Sequence, residues 1–485
     1  MWLLIKENFW ITLVVINYLI AISAVITILL KNVNPTKTLS YIIALVFFPF
    51  LGLIIYYLFG QEYRKDKIFN RKNILNQTIV KNIGKELEAD YQKFKRENGD
   101  VLDDKIKLIK LLRKSEKSPL TISNTVQIIK NGEEKFKYLI DDLRQAKNHV
   151  HMEYYIMRDD KIGTKVIDVL CEKAQNGVQV RLNIDDVGSS LANKTKQRLK
   201  DCGVELFSFM PVLFSGFTGK MNYRNHRKIA IIDGKIGYVG GINIEDKYVN
   251  DGNNAVYWRD THLRLEGEAV HALQVHFLIN WEFVSDCQLK VTKSFFPEIA
   301  IDKEIAVQIA ASGPDTDWAN IMEVIFTAVV TAENYVYITT PYFIPNEQII
   351  TAMQVASKSG VDVRLILPKE SDAWITKHAS DSYLQALLAA DVKVYQYKKG
   401  FIHAKTMVVD DIFCSVGTSN MDYRSFNINF EINALMYNED LSHELKHQFM
   451  EDLNDSEQLE PSVWKKRPII KKLKESYSRL WAPLL

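Results

Sequence analysis

The sequence predicts an α/β fold made of two similar halves behind an apolar N-terminal region. From about residue 119, short β-branched runs alternate with runs of helical spacing, which is typical of an α/β protein with a largely parallel sheet. The same order of runs returns later in the chain. "NGVQVRL" and "SGVDVRL" are near copies at equivalent places. We therefore predict an internal duplication of about 180 residues, with halves at 119–300 and 301–485.

Two long uncharged stretches, residues 9–30 and 38–60, open the chain. Because about 20 apolar residues cross a bilayer as a helix that satisfies its own backbone, residues 1–62 predict a transmembrane helical hairpin. The alternative is a signal peptide followed by a buried helix, but the first stretch is long for a signal and the second comes at once after it.

Flanking charges predict the orientation of this hairpin. The connection between the two stretches holds only Lys31 and Lys37, whereas a denser basic cluster comes after the second stretch. That cluster consists of Arg64, Lys65, Lys67, Arg71 and Lys72. The positive-inside bias therefore predicts that everything after residue 60 is cytoplasmic.

Residues 63–118 form a lysine-rich connector with helical spacing in "DKIKLIKLLRK". It could rest near anionic headgroups, pack on the α/β halves, or be a solvated helical linker.

Overall charge and cysteine spacing bear on nucleic-acid binding, on a disulfide framework and on a zinc site. The 61 Lys+Arg and 59 Asp+Glu residues nearly cancel, so the overall charge gives no argument for nucleic acid. The cysteines form no CxxC pair, which indicates reduced thiols facing the cytosol rather than a disulfide framework or zinc site. They are Cys171, Cys202, Cys287 and Cys414.

A paired motif is the strongest functional signal. His226, Lys228, Asp233, Gly240 and Asn243 lie at offsets 0, 2, 7, 14 and 17 from the histidine. Two such sets in register, with matched flanks, are far beyond chance. The second set, at the same offsets, is His403, Lys405, Asp410, Gly417 and Asn420.

The spacing assigns places to these residues. His and Lys two residues apart on a strand share a face, so both are predicted to line a pocket. Asp lies at an odd offset before a turn signal, so it is predicted to anchor the strand end. Asn, after the next strand, can reach the same pocket, and Gly lets backbones approach closely.

Two imidazoles, two ammonium groups and two amides suit phosphodiester chemistry. One imidazole can attack phosphorus while the other protonates the leaving group. The cations and amides match a five-coordinate phosphorus whose charge is spread over several oxygens. No metal or cofactor is predicted. His149, His151 and Glu153 alternate on one strand and could mimic a ligand set, but a satisfied strand face is the favoured interpretation.

The duplicated HxKxxxxD pattern resembles the phospholipase D superfamily. The flanks "NYRNHRKIAIIDGKIGYVGGINI", "WRDTHLRLEGEAV" and "FIHAKTMVVDD", and the N-terminus ending in "YYLFG", resemble bacterial cardiolipin synthases over essentially the whole chain. The resemblance implies two pseudo-twofold-related sandwich halves in a multi-pass protein of the bacterial inner membrane. It also implies that two phosphatidylglycerol molecules give cardiolipin and glycerol through a phosphatidyl-histidine.

The resemblance makes His226 the provisional nucleophile and His403 the acid, although the symmetry of the motif leaves this open. Asp260 in "WRDTHLRL" and Glu431 in "NFEIN" are candidates for orienting the imidazoles. Each could instead form a surface salt bridge. Whether each carboxylate serves its own half or the opposite half stays open.

Two segments are candidates for membrane contact. Residues 206–223, rich in Phe, Leu and Met, either form a lipid-facing lip that excludes water or belong to the core. The basic, Trp-containing tail 464–485 is either an interfacial segment or a solvated helix packed on the second half.

Several other functions remain open at this stage. Hydrolytic phospholipase D and phosphatidylserine synthesis use the same chemistry. A membrane-anchored nuclease is disfavoured by the balanced charge, and a non-catalytic lipid-binding scaffold by the intact motifs. The expected partners are phosphatidylglycerol and an anionic membrane, without nucleic acid, and the oligomeric state is not determined.

Overall fold

The computed structural model describes residues 9–30, 35–59, 74–75, 77–98, 105–116, 118–210, 223–252, 256–314, 316 and 318–482. These residues belong to two compact units. The first comprises the described residues between 9 and 59, and the second comprises the described residues from 74 onward.

The first unit contains α1 (Phe9–Leu30), α2 (Pro35–Phe47) and α3 (Pro49–Phe59). Among the described residues, α1 is the one helix long and apolar enough to cross a membrane. The second predicted span is divided, because Pro49 interrupts the helix at Phe48. The predicted hairpin is therefore supported in part, by one helix of spanning length and two shorter helices.

The second unit begins with the connector helices α4 (Thr78–Asn98) and α5 (Ile106–Ser115) and continues as alternating strands and helices. Its strands are β1 Leu120–Lys130, β2 His149–Tyr154, β3 Gln179–Asp185, β4 Glu205–Phe209, β5 Lys228–Ile232, β6 Ile236–Gly240, β7 Tyr257–Arg259, β8 Thr261–Gly267, β9 Glu304–Ser312, β10 Tyr335–Thr339, β11 Phe343–Ile344, β12 Asp362–Pro368, β13 Lys393–Tyr397, β14 Gly400–Ile402, β15 Thr406–Val409, β16 Phe413–Gly417, β17 Met421–Asp422, β18 Glu431–Tyr437 and β19 Ser456–Gln458. Its further helices are α6 Asn131–Gln145, α7 Lys161–Gln175, α8 Asn193–Asp201, α9 Glu268–Ser285, α10 Asn320–Val330, α11 Glu347–Lys358, α12 Trp374–Leu388, α13 Tyr423–Asn427, α14 Glu439–Asn454, α15 Pro461–Lys465 and α16 Ile469–Arg479.

The main sheet has 15 strands in the order β19-β13-β12-β10-β15-β16-β18-β9-β1-β8-β6-β5-β2-β3-β4. From β1 outward the order β8-β6-β5-β2-β3-β4 matches β18-β16-β15-β10-β12-β13 outward from β9. The chain is thus a structural duplication, and the antiparallel pair β1–β9 joins its halves into one sheet.

The prediction of a largely parallel sheet was wrong, although the α/β class is confirmed. Among the described strands of the main sheet, only β2–β3, β3–β4, β10–β12 and β12–β13 are parallel pairs. In each half the later strands follow one another antiparallel. β5 and β6 are joined by a three-residue turn at 233–235, which permits only antiparallel pairing.

Helix α5 of the connector packs on the second half and is not part of a solvated linker. Leu108, Ile109 and Leu112 of α5 are fully buried in the same apolar core as β9 and α10. Gln308 on β9 fixes the end of this contact, because its Nε2 donates to the carbonyl of Ser118 at 2.9 Å.

One ion pair ties the connector to a motif residue. Lys105 Nζ lies 2.9 Å from Asp410 Oδ2 and 3.1 Å from the carbonyl of Thr331, with the lysine and aspartate side chains only 5% and 9% exposed. Burial pushes the pKa of Asp410 upward, but Lys105 and backbone N–H groups outweigh it and lower that pKa overall. The charge of Asp410 is therefore stabilised in the folded protein.

Lys105→Met should lower the free energy of unfolding by about 3 kcal/mol, because it leaves a buried carboxylate without its counter-ion. The matched variant is Lys110→Met on the exposed face of α5, which should change stability by less than about 0.5 kcal/mol. Unfolding of the purified full chain in detergent measures both. Equal unfolding midpoints for the two variants would contradict this account of the connector.

Candidate active site

Each motif histidine is held by backbone from the opposite half. His226 directly precedes Arg227 and β5, and its N–H donates to the carbonyl of Phe430 at 2.9 Å. His403 directly follows β14, and its N–H donates to the carbonyl of Arg259 at 2.7 Å. The short parallel pair β7–β14 extends the second of these contacts. Both histidines therefore lie where the two halves meet.

The candidate orienting carboxylates also cross between halves. His403 Nδ1 lies 2.7 Å from Asp260 Oδ2, and His226 Nδ1 lies 3.1 Å from Glu431 Oε1. Asp260 and Glu431 are 1% and 0% exposed, so neither forms a surface salt bridge. In this geometry each half supplies an imidazole, and the other half supplies the carboxylate that lies against its Nδ1.

The two motif lysines share one buried environment. Lys228 Nζ donates to the carbonyl of His226 at 2.6 Å, and Lys405 Nζ donates to that of His403 at 2.5 Å. Burial lowers the pKa of Lys228 to about 7, with Glu431 opposing this and Lys405 adding to it. Burial likewise lowers the pKa of Lys405 to about 8. Both lysine side chains are buried beside the motif histidine of their own half, and Lys405 contributes to the lowered pKa of Lys228.

The His403–Asp260 pair is adapted to hold a proton close to neutral pH. Burial raises the pKa of the Asp260 carboxyl to about 6. Burial, together with Lys405 and Lys228, pushes the pKa of His403 well below its usual range. An anion in the pocket would offset the two lysines, which would raise the pKa of the imidazole and allow the pair to carry a proton to a leaving group.

The motif aspartates do not reach the pocket. Asp233 accepts backbone N–H groups of residues 147, 148 and 149 at 2.7–2.9 Å, and Asp410 accepts those of residues 333, 334 and 335 at 2.8–3.0 Å. Both aspartates have a positive φ, at 53° and 51°. They fix the turn that ends each motif strand against the start of the neighbouring strand.

The motif glycines and asparagines lie in the layer around the histidines. A Cβ on Gly240 or Gly417 would approach the Cα of the facing residue, His262 or Asn433, to 2.6 Å, so only glycine fits. Asn243 is fully engaged within the protein. Its Oδ1 accepts the backbone N–H of Ile156 at 3.1 Å, and its Nδ2 donates to the hydroxyl of Tyr248 at 2.7 Å. Asn420 is buried in the equivalent place.

Sequence reasoning missed the aromatic lining of the site. The ring of Tyr155 lies 4.1 Å from the ring of His226. The rings of Tyr248 and Trp258 lie 5.7 Å and 5.6 Å from that of His403. All three residues lie outside the repeated motif, so the alignment of the two motif copies could not identify them.

Sequence reasoning also missed the residues directly after the motif glycines. Gly241 and Thr418 occupy the same register, 15 residues after the histidine. A side chain at Gly241 would collide with the carboxylate of Asp260, whereas Thr418 Oγ1 donates to Glu431 Oε2 at 2.5 Å. Extending the aligned motifs by one position would have flagged this pair.

The alternating residues on β2 are engaged inside the protein. His151 Nδ1 lies 3.1 Å from Gln274 Oε1, and Glu153 Oε1 accepts from Asn225 and Asn280 at 2.5 Å. In the part of the chain that the structure describes, no group of three His, Cys, Asp or Glu residues could hold a metal ion. Among the described residues, His149 Nε2 and Glu153 Oε2 are buried without a hydrogen-bond partner, so this strand face is satisfied only in part.

The candidate lip falls largely on residues 211–222, which lie outside the described residues. At its start, the ring of Phe207 lies 5.2 Å from that of Trp281, and the ring of Phe209 lies 5.2 Å from that of Phe430. Phe209 is fully buried and belongs to the core, whereas the other described residues of this segment before Met210 are half-buried.

Binding of an oxyanion should raise the pKa of both motif lysines and therefore take up protons at pH 8. The probe is tungstate, which does not itself titrate near this pH. Titration calorimetry in two buffers of different ionisation heat measures the uptake. Proton uptake should decrease at pH 6, where both lysines already carry a proton. At pH 8 the Lys228→Met variant should take up fewer protons than the unmodified protein, because one of the two lysines is absent. Identical heats in the two buffers at pH 8 would mean that no proton is taken up, which would rule out a rise in the lysine pKa values on oxyanion binding.

Comparison with known proteins places this geometry in a family. A family model described as "Cardiolipin synthase, PLD-like domain" matches residues 139–281 and 325–453, and one described as "Phospholipase_D-nuclease N-terminal" matches residues 19–61. A cardiolipin synthase of Geobacillus sp. (strain WCH70) is 40% identical over 94% of this chain and 90% of its own length. One of Alkalihalophilus pseudofirmus is 40% identical over 98% and 94%.

The fold also matches a solved structure of a different enzyme. The crystal structure of phosphatidylserine synthase from Haemophilus influenzae Rd KW20 aligns with a TM-score of 0.59 at 14% identity, over 78% of this chain and all of that chain. At this identity the likeness shows the fold alone. The curated relatives, in contrast, match over nearly the full length. The chain therefore belongs to the cardiolipin synthase family of the phospholipase D superfamily.

Proposed function

We propose that this protein transfers a phosphatidyl group from one phosphatidylglycerol to another, which yields cardiolipin and glycerol. One observation carries the proposal: each of two histidines is paired with a buried carboxylate of the opposite half and has a buried lysine beside it. This arrangement supplies a nucleophile, an acid and a cationic phosphate cradle without a cofactor. The curated relatives named cardiolipin synthase support the choice of lipid substrate.

In the first step the imidazole of His226 attacks phosphorus of the first phosphatidylglycerol. The bond from phosphorus to the glycerol oxygen breaks, and His403, backed by Asp260, gives that oxygen a proton. In the superfamily that the chain resembles, the first-half histidine is often the nucleophile. Two observations favour it here: His226 is 20% exposed against 13% for His403, and the pKa of Asp260 is raised to about 6, which suits a proton-holding pair.

In the second step a hydroxyl of the second phosphatidylglycerol attacks the phosphatidyl-histidine. Its proton passes to His403, the bond between phosphorus and the imidazole nitrogen breaks, and His226 is restored. Lys228 and Lys405 stabilise the oxyanion in both steps. Because one phosphodiester replaces another, the reaction requires no nucleotide.

The protein is a membrane protein, since an N-terminal apolar helix opens a chain of a lipid-enzyme family. We propose further that the N-terminal region crosses the bacterial inner membrane more than once and leaves the catalytic unit in the cytoplasm. The basic residues at 64–72 support that orientation. The four free cysteines are consistent with a reducing compartment.

Purified full-length protein in phosphatidylglycerol vesicles tests the proposed reaction. The expected products are cardiolipin and glycerol in equal amounts, and both His226→Ala and His403→Ala should abolish them. Phosphatidic acid as the main product would instead indicate a hydrolase. Exchange of the lipid headgroup with serine would indicate phosphatidylserine synthesis, and salt-dependent cleavage of DNA would indicate a nuclease. Trapped radiolabelled lipid should be found on the peptide that carries His226; label on His403 would reverse their roles.

Asp260→Asn should lower kcat by about 10²- to 10⁴-fold, because an amide cannot hold the imidazole of His403 in the same tautomer or store its proton. The fold should survive, since ionised Asp260 is disfavoured by burial. Asp286→Asn, at an exposed helix end, is the control and should leave kcat unchanged. A near-normal rate for Asp260→Asn would remove this residue from the mechanism.

A further inference from the structure

The C-terminal helix α16 packs on α12 through one face only. Glu475 and Ser478 are buried on that face. Arg467 Nη2 lies 2.6 Å from Glu475 Oε2, and the guanidinium of Arg479 lies 4.7 Å from the centre of the Tyr383 ring on α12. These contacts fix the rotation of the helix, so its other side chains have defined directions.

The opposite face of α16 is apolar and uncovered. Successive residues of an α-helix are rotated by about 100°, which places the apolar side chains on one stripe opposite the two buried polar residues. The side chains of this stripe are between 54% and 77% exposed. They are Ile469, Ile470, Leu473, Tyr477 and Leu480. Exposed clusters of this kind mark an interaction surface.

Basic residues flank the apolar stripe on both sides. Lys474 lies on one side and Lys472 lies on the other, by the same rotation. Lys465 and Lys466 add two exposed cations just before the helix. Glu475, the acidic residue of α16, is buried against Arg467 and does not offset this positive charge. An apolar stripe between two basic margins is the pattern of a helix lying in an anionic bilayer surface.

The helix beneath α16 connects this surface to the pocket. Just before α12, Asp372 accepts from the hydroxyl of Tyr342 at 2.7 Å. The ring of Tyr342 lies 6.4 Å from that of Phe401, which lies 6.0 Å from the ring of His403. Trp374, the first residue of α12, is exposed, and its ring lies 4.7 Å from that of His378. A large apolar side chain is therefore exposed two residues from the edge of the pocket.

We propose that α16 and Trp374 form a docking surface for the anionic bilayer, distinct from the N-terminal anchor, that holds the pocket at the headgroup layer. A second copy of the chain is the less suitable occupant, because two copies meeting at this surface would bring like charges together. The docking itself follows from the surface alone. Its effect on turnover rests on the proposed function.

A spin label measures whether the stripe enters the bilayer. The variant is Ile470→Cys in full-length protein that also carries Cys202→Ser and Cys287→Ser, reconstituted at one chain per nanodisc containing phosphatidylglycerol. The label should be accessible to oxygen and protected from a water-soluble nickel chelate. A label at the exposed Lys165→Cys is the control and should stay accessible to the chelate. A label at position 470 that is accessible to the nickel chelate would overturn the proposal. So would a label that is protected from the chelate only when a disc holds more than one chain.

Activity measures whether docking matters for turnover. Ile470→Glu combined with Leu473→Glu should lower kcat/KM about tenfold for long-chain phosphatidylglycerol in vesicles and leave a dispersed short-chain phosphatidylglycerol unaffected. Ser476→Glu, exposed beside the stripe on the same helix, is the matched control for added charge. An equal loss with both substrates would mean a damaged enzyme and would contradict a docking role. If the unmodified protein makes no cardiolipin, the proposed function fails while the spin-label result still decides the docking.

Discussion

The reciprocal pairing of histidine and carboxylate across the two halves is the interaction on which the rest of the structure depends. Asp260 pairs with His403, and Glu431 pairs with His226, so each pair draws one residue from each half. The backbone repeats the exchange, because each histidine N–H donates to the residue just before the partner carboxylate. A duplicated chain thereby obtains one asymmetric site from two similar sequences.

The architecture keeps these pairs in register. The β1–β9 pair makes the two halves one continuous sheet, and the connector helix α5 inserts its apolar side chains into the core of the second half. Lys105 adds an ion pair to Asp410, which itself fixes the end of the second motif strand. The first motif has an equivalent aspartate, Asp233, which accepts three backbone N–H groups. The connector is thus part of the support of the site.

The electrostatics of the pocket favour an anionic ligand. The pKa values of Lys228 and Lys405, about 7 and 8, lie well below about 10.4 for free lysine. The unfolded chain therefore binds more protons than the folded one between about pH 7 and 10, so these groups make stability rise with pH across that window. A bound phosphodiester would restore their charge. The burial of two lysines that lowers the stability of the fold near neutral pH is thus also what prepares the site for its substrate.

The sequence by itself determined the class of fold, the duplication and the ten motif residues, because strand periodicity and matched spacing are local properties of the chain. Only the tertiary structure decided that Asp260 and Glu431 serve the opposite half, and that Tyr155 and Trp258 line the site. It also decided the mostly antiparallel sheet and the uncovered face of α16. These features depend on contacts between segments that are far apart in the sequence, and local periodicity carries no information about such contacts.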